Sequence, residues 1–317
     1  MTMATAQKVV VMPVYEDVEA SSRLFQELAR TQGSDAYVVA VDDGSVRQPL
    51  DVAAITAAGL GGVVVKLRRN VGHQRAIAIG LSYVAEHFDD DVVVVVMDSD
   101  GEDTPESITE LVSGLASPDV DVVVGARKSR VESLKFKTFY LVYKTLFSLL
   151  SGRKISFGNF MAAKMPAVRR LASMQELWTH VAACVLGSKL RVQSCPLDRG
   201  PRYAGKSKMN FVGLALHGFR ALMVFAEDVL VRVGIACTLV AGLSVVGGVT
   251  AMVLKAAGFA TPGWFSLAFG ILLLVFLQTA ALTLIILMLS GMVRSGGVLG
   301  VGSYREFVDE VLYARER

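Results

Sequence analysis

Four carboxylates crowd one short stretch of the chain. Asp98, Asp100, Glu102 and Asp103 lie within Val92 to Glu106, VVVVVMDSDGEDTPE. Carboxylates packed this closely repel one another unless a cation neutralises some of them, and Mg²⁺ typically takes one or two carboxylates together with substrate phosphates. The chemistry they point to is a divalent cation, Mg²⁺ or Mn²⁺, beside a phosphorylated ligand. The preceding run of five valines and a methionine is too short for a helix and apolar on both faces, which reads as a central strand of a parallel sheet. Ligands of open α/β sheets bind just beyond the carboxyl ends of such strands. A merely solvated acidic turn would not need a fully buried strand in front of it.

The elements that would position this turn repeat the same pattern. Val9 to Met12, Tyr37 to Val41, Val63 to Leu67 and Val120 to Val124 read as further short buried strands, and Val18 to Arg30, Arg75 to Glu86 and Glu106 to Leu115 as the helices between them. Alternation of this kind predicts a doubly wound, mostly parallel α/β sheet. Polar residues then fall at the strand ends: Pro13, Tyr15 and Asp17, then Asp42-Asp43-Gly44-Ser45, then Arg69-Asn70-Val71-Gly72-His73-Gln74. An aromatic ring can stack on a base, a carboxylate can accept from a base N–H or a ribose hydroxyl, and a metal can hold a diphosphate. The set suits a nucleotide-diphosphate donor. Two other nucleotide motifs are excluded: there is no Walker A sequence, and Gly59-Leu60-Gly61-Gly62 precedes a strand where a dinucleotide fingerprint must follow one. A second signature, Arg199-Gly200-Pro201-Arg202-Tyr203-Ala204-Gly205-Lys206-Ser207-Lys208, joins four basic residues with two glycines and reads as an anion-binding loop.

Composition places part of the chain in lipid. The 317 residues are 53% hydrophobic, with a mean hydropathy of +0.49. Val233 to Leu254 and Trp264 to Met288 carry no charge, and each can span the roughly 30 Å hydrocarbon core. The short connection between them makes a hairpin. Arg220, Arg232, Arg294 and Arg305 against Lys255 predict that its two outer ends face the cytoplasm. Leu134 to Leu150 and Phe211 to Leu230 have the mixed basic and aromatic character either of interfacial helices or of helices packed against the sheet, and Tyr304 to Arg317 reads as a short amphipathic helix. Inside the second span, Gln278, Thr279 and Thr283 read as interhelical hydrogen-bonding groups. The net charge of +3 is too mild for a nucleic-acid partner, Cys184, Cys195 and Cys237 share no ligand spacing, and the N-terminus has no signal-peptide pattern. The expected layout is a cytoplasmic catalytic domain over 1–209, an interfacial helix over 210–231, two spans within 232–293 and a cytoplasmic tail over 294–317. A multi-pass protein of the cell membrane follows.

Taken in order, Pro13-x-Tyr15, Asp42-Asp43-Gly44-Ser45, Arg69-Asn70-x-Gly72-His73, Asp98-x-Asp100 and Gly125-x-Arg127, followed by two spans, resemble the family 2 glycosyltransferases of the GT-A fold. Within these the chain is similar to the dolichol-phosphate mannose synthase and bacterial polyprenyl-phosphate glycosyltransferase branch. The resemblance implies a UDP- or GDP-linked sugar donor, a polyprenyl phosphate acceptor and a homo-oligomer. It implies that Asp98 and Asp100, with an oxygen from Glu102, serve metal and diphosphate, and that Asp42 and Asp43 bind base or ribose. Arg127 and the loop with Arg199, Arg202, Lys206 and Ser207 would face the acceptor phosphate, with Lys135 and Lys137 nearby. Asp98, Asp100, Arg127 and Arg202 are thus the expected catalytic residues.

Three departures bear on mechanism. Glu16-Asp17 stands where relatives commonly read Asn-Glu, Asp98-Ser99-Asp100-Gly101-Glu102 where they read Asp-Ala-Asp-Leu-Gln, and Gly158-Asn159-Phe160 where Gly-Asp-Phe is frequent. Asn159 cannot accept a proton, which excludes a base at that position. A transferase acting on a hydroxyl would need such a base, and the Gln-x-x-Arg-Trp motif of polysaccharide synthases is absent. A membrane-anchored nucleotide-binding protein without turnover is the remaining alternative, disfavoured by the Asp98-x-Asp100 pair and the basic loop.

Overall fold

The computed structural model describes residues 7–127, 144–204, 211–259, 263–294 and 301–314. In chain order the elements are β1 (Lys8–Val14), α1 (Val18–Gln32), β2 (Ala36–Asp42), α2 (Ala53–Ala57), β3 (Gly61–Leu67), α3 (His73–His87), β4 (Val93–Val96), α4 (Ser107–Gly114), β5 (Val122–Arg127) and α5 (residues 144–151). There follow β6 (Phe157–Lys164), α6 (Met165–Ala172), α7 (Val181–Gly187), β7 (Val192–Leu197), α8 (Phe211–Met223), α9 (Ala226–Ala256), α10 (Trp264–Arg294) and β8 (Val308–Tyr313). The chain divides into two compact units, residues 142–154 with 225–297 forming the second. Lys135, Lys137, Lys206 and Ser207 lie outside the described residues.

The first unit is built on an eight-stranded sheet of order β7-β5-β6-β4-β1-β2-β3-β8. β1 pairs in parallel with β2 and β4, β2 with β3 and β5 with β7, while β6 runs antiparallel between β4 and β5. The period-2 alternation of a strand divides the core cleanly: Val9 and Val11 enter the layer beneath α3, α6 and α7, and Val10, Met12 and Val14 enter the layer with α1, α2 and α4. Burial on both faces is why β1 to β5 are valine-rich.

Two readings of the sequence are corrected by these elements. The tail does not continue as a helix: Val301–Glu306 forms a 3₁₀ turn and Val308–Tyr313 a strand, with Val63 opposite Tyr313 and Leu67 opposite Val308. The spacing of Val308, Val311 and Leu312 suits either structure, and the unpaired edge of β3 decides between them by offering hydrogen-bond partners. Arg68 N–H to the Phe307 carbonyl (2.9 Å) and Ala314 N–H to the Gly62 carbonyl (2.9 Å) close the two ends of the pairing. The segment Phe211 to Leu230 is likewise not one helix, because α8 stops at Met223 and α9 begins at Ala226. Glu227 and Asp228 stand in the first turn of α9, where negative charge favours the helix dipole.

The second unit holds α5, α9 and α10. Ala226–Ala256 and Trp264–Leu289, of mean hydropathy 2.2 and 2.6, are long and apolar enough to cross a membrane. α9 turns small residues toward its neighbour, with Ala241, Ser244, Gly248 and Ala251 buried, while Leu239, Leu243, Leu274 and Leu284 are exposed. Small residues let two helices approach closely, which lipid-embedded pairs need because burial from water does not drive them together. Thr279 and Thr283 do not bond across helices as expected. Their hydroxyls donate to the Val275 (2.7 Å) and Thr279 (2.9 Å) carbonyls of their own helix, which satisfies them at no cost to packing.

Candidate active site

The carboxyl ends of β1 to β4 converge on one edge of the sheet, and hydrogen bonds tie their loops into a single surface. Asp42 and Asp43, each 2% exposed, leave the end of β2. Asp42 accepts from the backbone N–H of Ser45 (3.0 Å) and Leu50 (2.9 Å), which curls its own loop. Asp43 accepts from Val71 (2.7 Å) and Gly72 (2.9 Å), which holds the Arg69-to-Gly72 loop against it. Burial raises the Asp43 carboxyl to about 6, and the two N–H donors oppose that rise. Gly44 must be glycine: its φ is +69°, and a Cβ there would lie 2.5 Å from the carbonyl carbon of Arg69. These two aspartates, read from the sequence as base or ribose ligands, have their carboxylates on backbone donors and shape the loops that carry Ser45, Asn70 and Gly72.

Beside them the end of β1 carries Tyr15, 43% exposed, and Glu16. Glu16 adopts a φ of 47°, an uncommon conformation for a non-glycine residue. The reason is local. Its carboxylate accepts three successive N–H groups, from Val46 (2.8 Å), Arg47 (3.0 Å) and Gln48 (2.9 Å), while its own N–H donates to Ser45 Oγ (2.9 Å). Those donors hold its carboxyl below the usual range. Asp17, expected at the donor site, is the N-cap residue of α1, where its carbonyl accepts from Ser21 Oγ (2.6 Å).

The acidic turn after β4 is ordered by its own backbone. Asp103 Oδ2 accepts from the N–H of Asp98 (3.0 Å), and Asp100 Oδ1 from that of Glu102 (2.9 Å). The segment after β7 lies directly on this turn. Gly200 N–H donates to the Glu102 carbonyl (3.0 Å) and Tyr203 N–H to that of Asp100 (2.9 Å). Arg202 Nη2 is 2.6 Å from Asp100 Oδ2, its Nε 3.5 Å from Glu102 Oε1, and Arg199 pairs with Glu102. Gly101, at φ +85°, has the Tyr203 ring where a Cβ would project, and the Arg23 guanidinium lies over that ring, 4.6 Å from its centre. The acidic and basic signatures, a hundred residues apart in sequence, therefore form one ion-paired surface. Arg127 is the last residue of β5, where the backbone leaves the sheet in register with Leu197 of β7.

A third cluster flanks this edge. Gln74, 2% exposed, donates to Asn159 Oδ1 (3.0 Å) and accepts from Val181 N–H (2.7 Å), so one amide clamps β6 to the start of α7. His73 opens α3 and faces His217 of α8, ring centres 5.6 Å apart. Burial and the nearby Arg220 push its pKa down. Glu16, His180 and His217 had no place in the sequence-based site, and Gln74 stood in it only as the last residue of the Arg69-to-Gln74 stretch. Their partners lie from about 30 to 144 residues away along the chain, and no spacing rule reaches that far.

The first unit is thus a doubly wound sheet with an acidic turn at its carboxyl edge, to which Arg199 and Arg202 are paired. Residues 9–178, more than half of the chain, match the family described as Glycosyl transferase family 2, and the chain belongs to that family. It is similar to the undecaprenyl-phosphate 4-deoxy-4-formamido-L-arabinose transferase of Klebsiella pneumoniae subsp. pneumoniae, 26% identical over 212 residues that cover 65% of this chain and 63% of the relative. The enzyme of that name from Sodalis glossinidius is 36% identical over 140 residues, 41% of each chain. The chain thus spans less than two thirds of the length of these relatives. In fold it is similar to glucosyl-3-phosphoglycerate synthase from Mycobacterium tuberculosis in complex with Mn²⁺, uridine-diphosphate-glucose and phosphoglyceric acid. That likeness has a TM-score of 0.50 at 17% identity and covers 72% of this chain and 79% of the other.

Proposed function

We propose that this protein transfers a sugar from a UDP- or GDP-linked donor to polyprenyl phosphate at a membrane. The observation that carries the reading is the Arg202–Asp100 pair. It sets cations suited to a phosphate monoester against carboxylates suited to a metal-bound diphosphate, in a family whose relatives here are named for transfer to undecaprenyl phosphate. Two phosphorylated substrates need such a surface. Two unit charges about 4 Å apart at an effective dielectric near 20 repel by roughly 4 kcal/mol, and phosphate facing diphosphate has several such pairs. Arg127, Arg199 and Arg202, with Lys135, Lys137, Lys206 and Ser207, are the groups we assign to the acceptor phosphate. Pro13, Tyr15, Asp17, Asp42, Asp43, Gly44, Ser45, Asn70 and His73 form the donor side, some by contact and the buried aspartates through loop shape.

In the reaction an oxygen of the lipid phosphate attacks the anomeric carbon, the bond from that carbon to the diphosphate oxygen breaks, and the nucleoside diphosphate leaves with the electron pair. In-line attack inverts the anomeric centre. The nucleophile is already anionic, so no proton need be removed and Asn159 suffices where a base is otherwise expected. Arginines held in place before reaction stabilise the meeting charges without reorganisation. Asp98, Asp100 and Glu102 would hold a divalent cation, Mg²⁺ or Mn²⁺, which neutralises the leaving diphosphate when bound. Their hard oxygens fit such an ion. Among the described residues no three such side chains form a ready ligand cage, and Mg²⁺ typically takes one or two carboxylates together with substrate phosphates.

We place the catalytic unit in the cytoplasm, the two long helices across the membrane and the working form as a homo-oligomer, with the domain limits given above. The test is a panel of nucleotide sugars offered with undecaprenyl phosphate to the detergent-solubilised protein. Transfer should occur with one donor, fail in Asp100→Ala and stop in excess chelator. Transfer to a hydroxyl acceptor but not to the lipid phosphate would refute the proposal.

A further inference from the structure

Three imidazoles from distant parts of the chain meet beside α8. The Nε2 atoms of His180 and His217 are 3.0 Å apart with ring centres at 4.3 Å, and the His73 ring centre is 5.6 Å from that of His217. Their hydrogen bonds fix the tautomers. His180 Nδ1 accepts from the Ala183 N–H (3.2 Å), so a neutral His180 carries its proton on Nε2 and donates it to His217 Nε2. His217 must then carry its own proton on Nδ1. That atom is buried and has no partner among the described residues, so an N–H donor is left pointing at nothing, a costly arrangement unless a ligand answers it.

The missing partner is an acceptor, and the surroundings say of which charge. Burial and mutual repulsion hold His180 at about 3 and His217 at about 4, so both are neutral at physiological pH. Arg220, one turn along α8 from His217, contributes a fixed positive charge that acts on all three rings and forms no ion pair among the described residues. An unanswered N–H, a free guanidinium and imidazoles able to take up protons beside negative charge make an anion site. The rest of α8 adds a second chemistry. Leu216, Phe219 and Met223 form an exposed apolar stripe, and at 100° per residue Arg220 falls between that stripe and His217. A ligand with an acidic head and an apolar tail matches both.

We propose that His180, His217 and Arg220, beside His73 of the donor side, bind the phosphomonoester head of a lipid whose tail lies along Leu216, Phe219 and Met223. This rests on the acceptor reading above and deepens it. The arginines of the Arg199-to-Tyr203 segment are engaged with the acidic turn, and the histidine cluster supplies a second set of donors for the lipid phosphate.

The test is calorimetry on the full-length protein in mild detergent, with a short-chain prenyl monophosphate, the matching prenol, inorganic phosphate and UDP as separate probes. Prenyl monophosphate should bind at least about tenfold more tightly than prenol or inorganic phosphate, and His217→Ala and Arg220→Gln should each weaken it by about tenfold or more while UDP binding stays as in wild type. Arg220 is exposed, so its variant keeps the test valid should His217→Ala fold poorly. Unchanged prenyl phosphate binding in both variants would overturn the proposal. So would equal affinity for inorganic phosphate, which marks a bare phosphate site, or a stoichiometric transition metal lost in His217→Ala, which would mean that the rings face a metal. None of these readouts involves sugar transfer: failure of transfer with every donor would refute the acceptor reading and leave the binding result standing.

Discussion

The Arg202 guanidinium lies 2.6 Å from the Asp100 carboxylate, so a residue expected to serve the acceptor contacts one expected to serve the metal. A cation entering at Asp100 must compete with that guanidinium. Arg202→Ala should therefore lower the concentration of Mg²⁺ or Mn²⁺ needed for half-maximal transfer, while the maximal rate falls by roughly ten- to a hundredfold through loss of a charge-assisted contact. Arg202→Lys should recover part of the rate, since lysine keeps the charge without the planar two-pronged geometry. Metal titrations of the three proteins decide the point; a raised cation requirement in Arg202→Ala would contradict it.

Gly101 makes a separate test of how the basic segment is held. With φ at +85° and the Tyr203 ring against its Cα, Gly101→Ala must both strain the turn, by roughly 1–2 kcal/mol, and push the ring away. The expected result is faster tryptic cleavage at Arg199 and Arg202 with the sheet still folded, together with reduced transfer. Wild-type cleavage rates would show that the ring does not clamp the turn.

Asp43 gives the fold a pH dependence of definite sign. Its carboxyl is raised from 3.8 to about 6, so the native state binds the proton more tightly than the unfolded chain. The resulting stability is fully present below pH 4 and lost as pH rises through 6, an effect on the order of 3 kcal/mol at most. Asp43→Asn imitates the protonated form. Its stability relative to wild type, measured by urea unfolding in mild detergent, should improve between pH 4 and pH 7; a flat difference would count against the buried carboxylate.

Glu16 is the residue whose importance the sequence conceals. Three backbone N–H groups converge on its carboxylate and shape residues 46–48 beside Tyr15 and Ser45. Glu16→Ala should weaken UDP or GDP binding several-fold while prenyl phosphate binding is preserved, both by calorimetry. Equal loss of both ligands would show a general loss of structure.

Much of the central sheet was legible because strands buried on both faces have to be apolar throughout, and the valine runs of β1 to β5 have few other uses. β6 and β7 were not. FGNFMAAK runs antiparallel between two parallel strands with its first residues outside the core, and VQSCPL is an edge strand whose first four positions are largely exposed, so neither carries a clean pattern. β8 misled outright, since its apolar spacing fits a helix and the β3 edge overrode it. Of the site, the clusters at strand ends were readable as residue types. What sequence could not convey was which partner each side chain had taken. Asp42 and Asp43 turned out to hold backbone, and His73 found its neighbours 107 and 144 residues further on.

The pairing of β8 with β3 also sets an order of events. Arg68 reaches across 240 residues to bond the Val308 carbonyl, and between them lie both long apolar helices. As the chain is synthesised, β3 emerges early and its outer edge stays bare until both helices have left the ribosome. The nascent sheet therefore carries an open, valine-rich border during the whole period of membrane insertion, the kind of border to which other strands add. A chain halted before Val308 would keep that border permanently. Self-association of such truncated chains, more than loss of the short strand itself, is the hazard this topology creates.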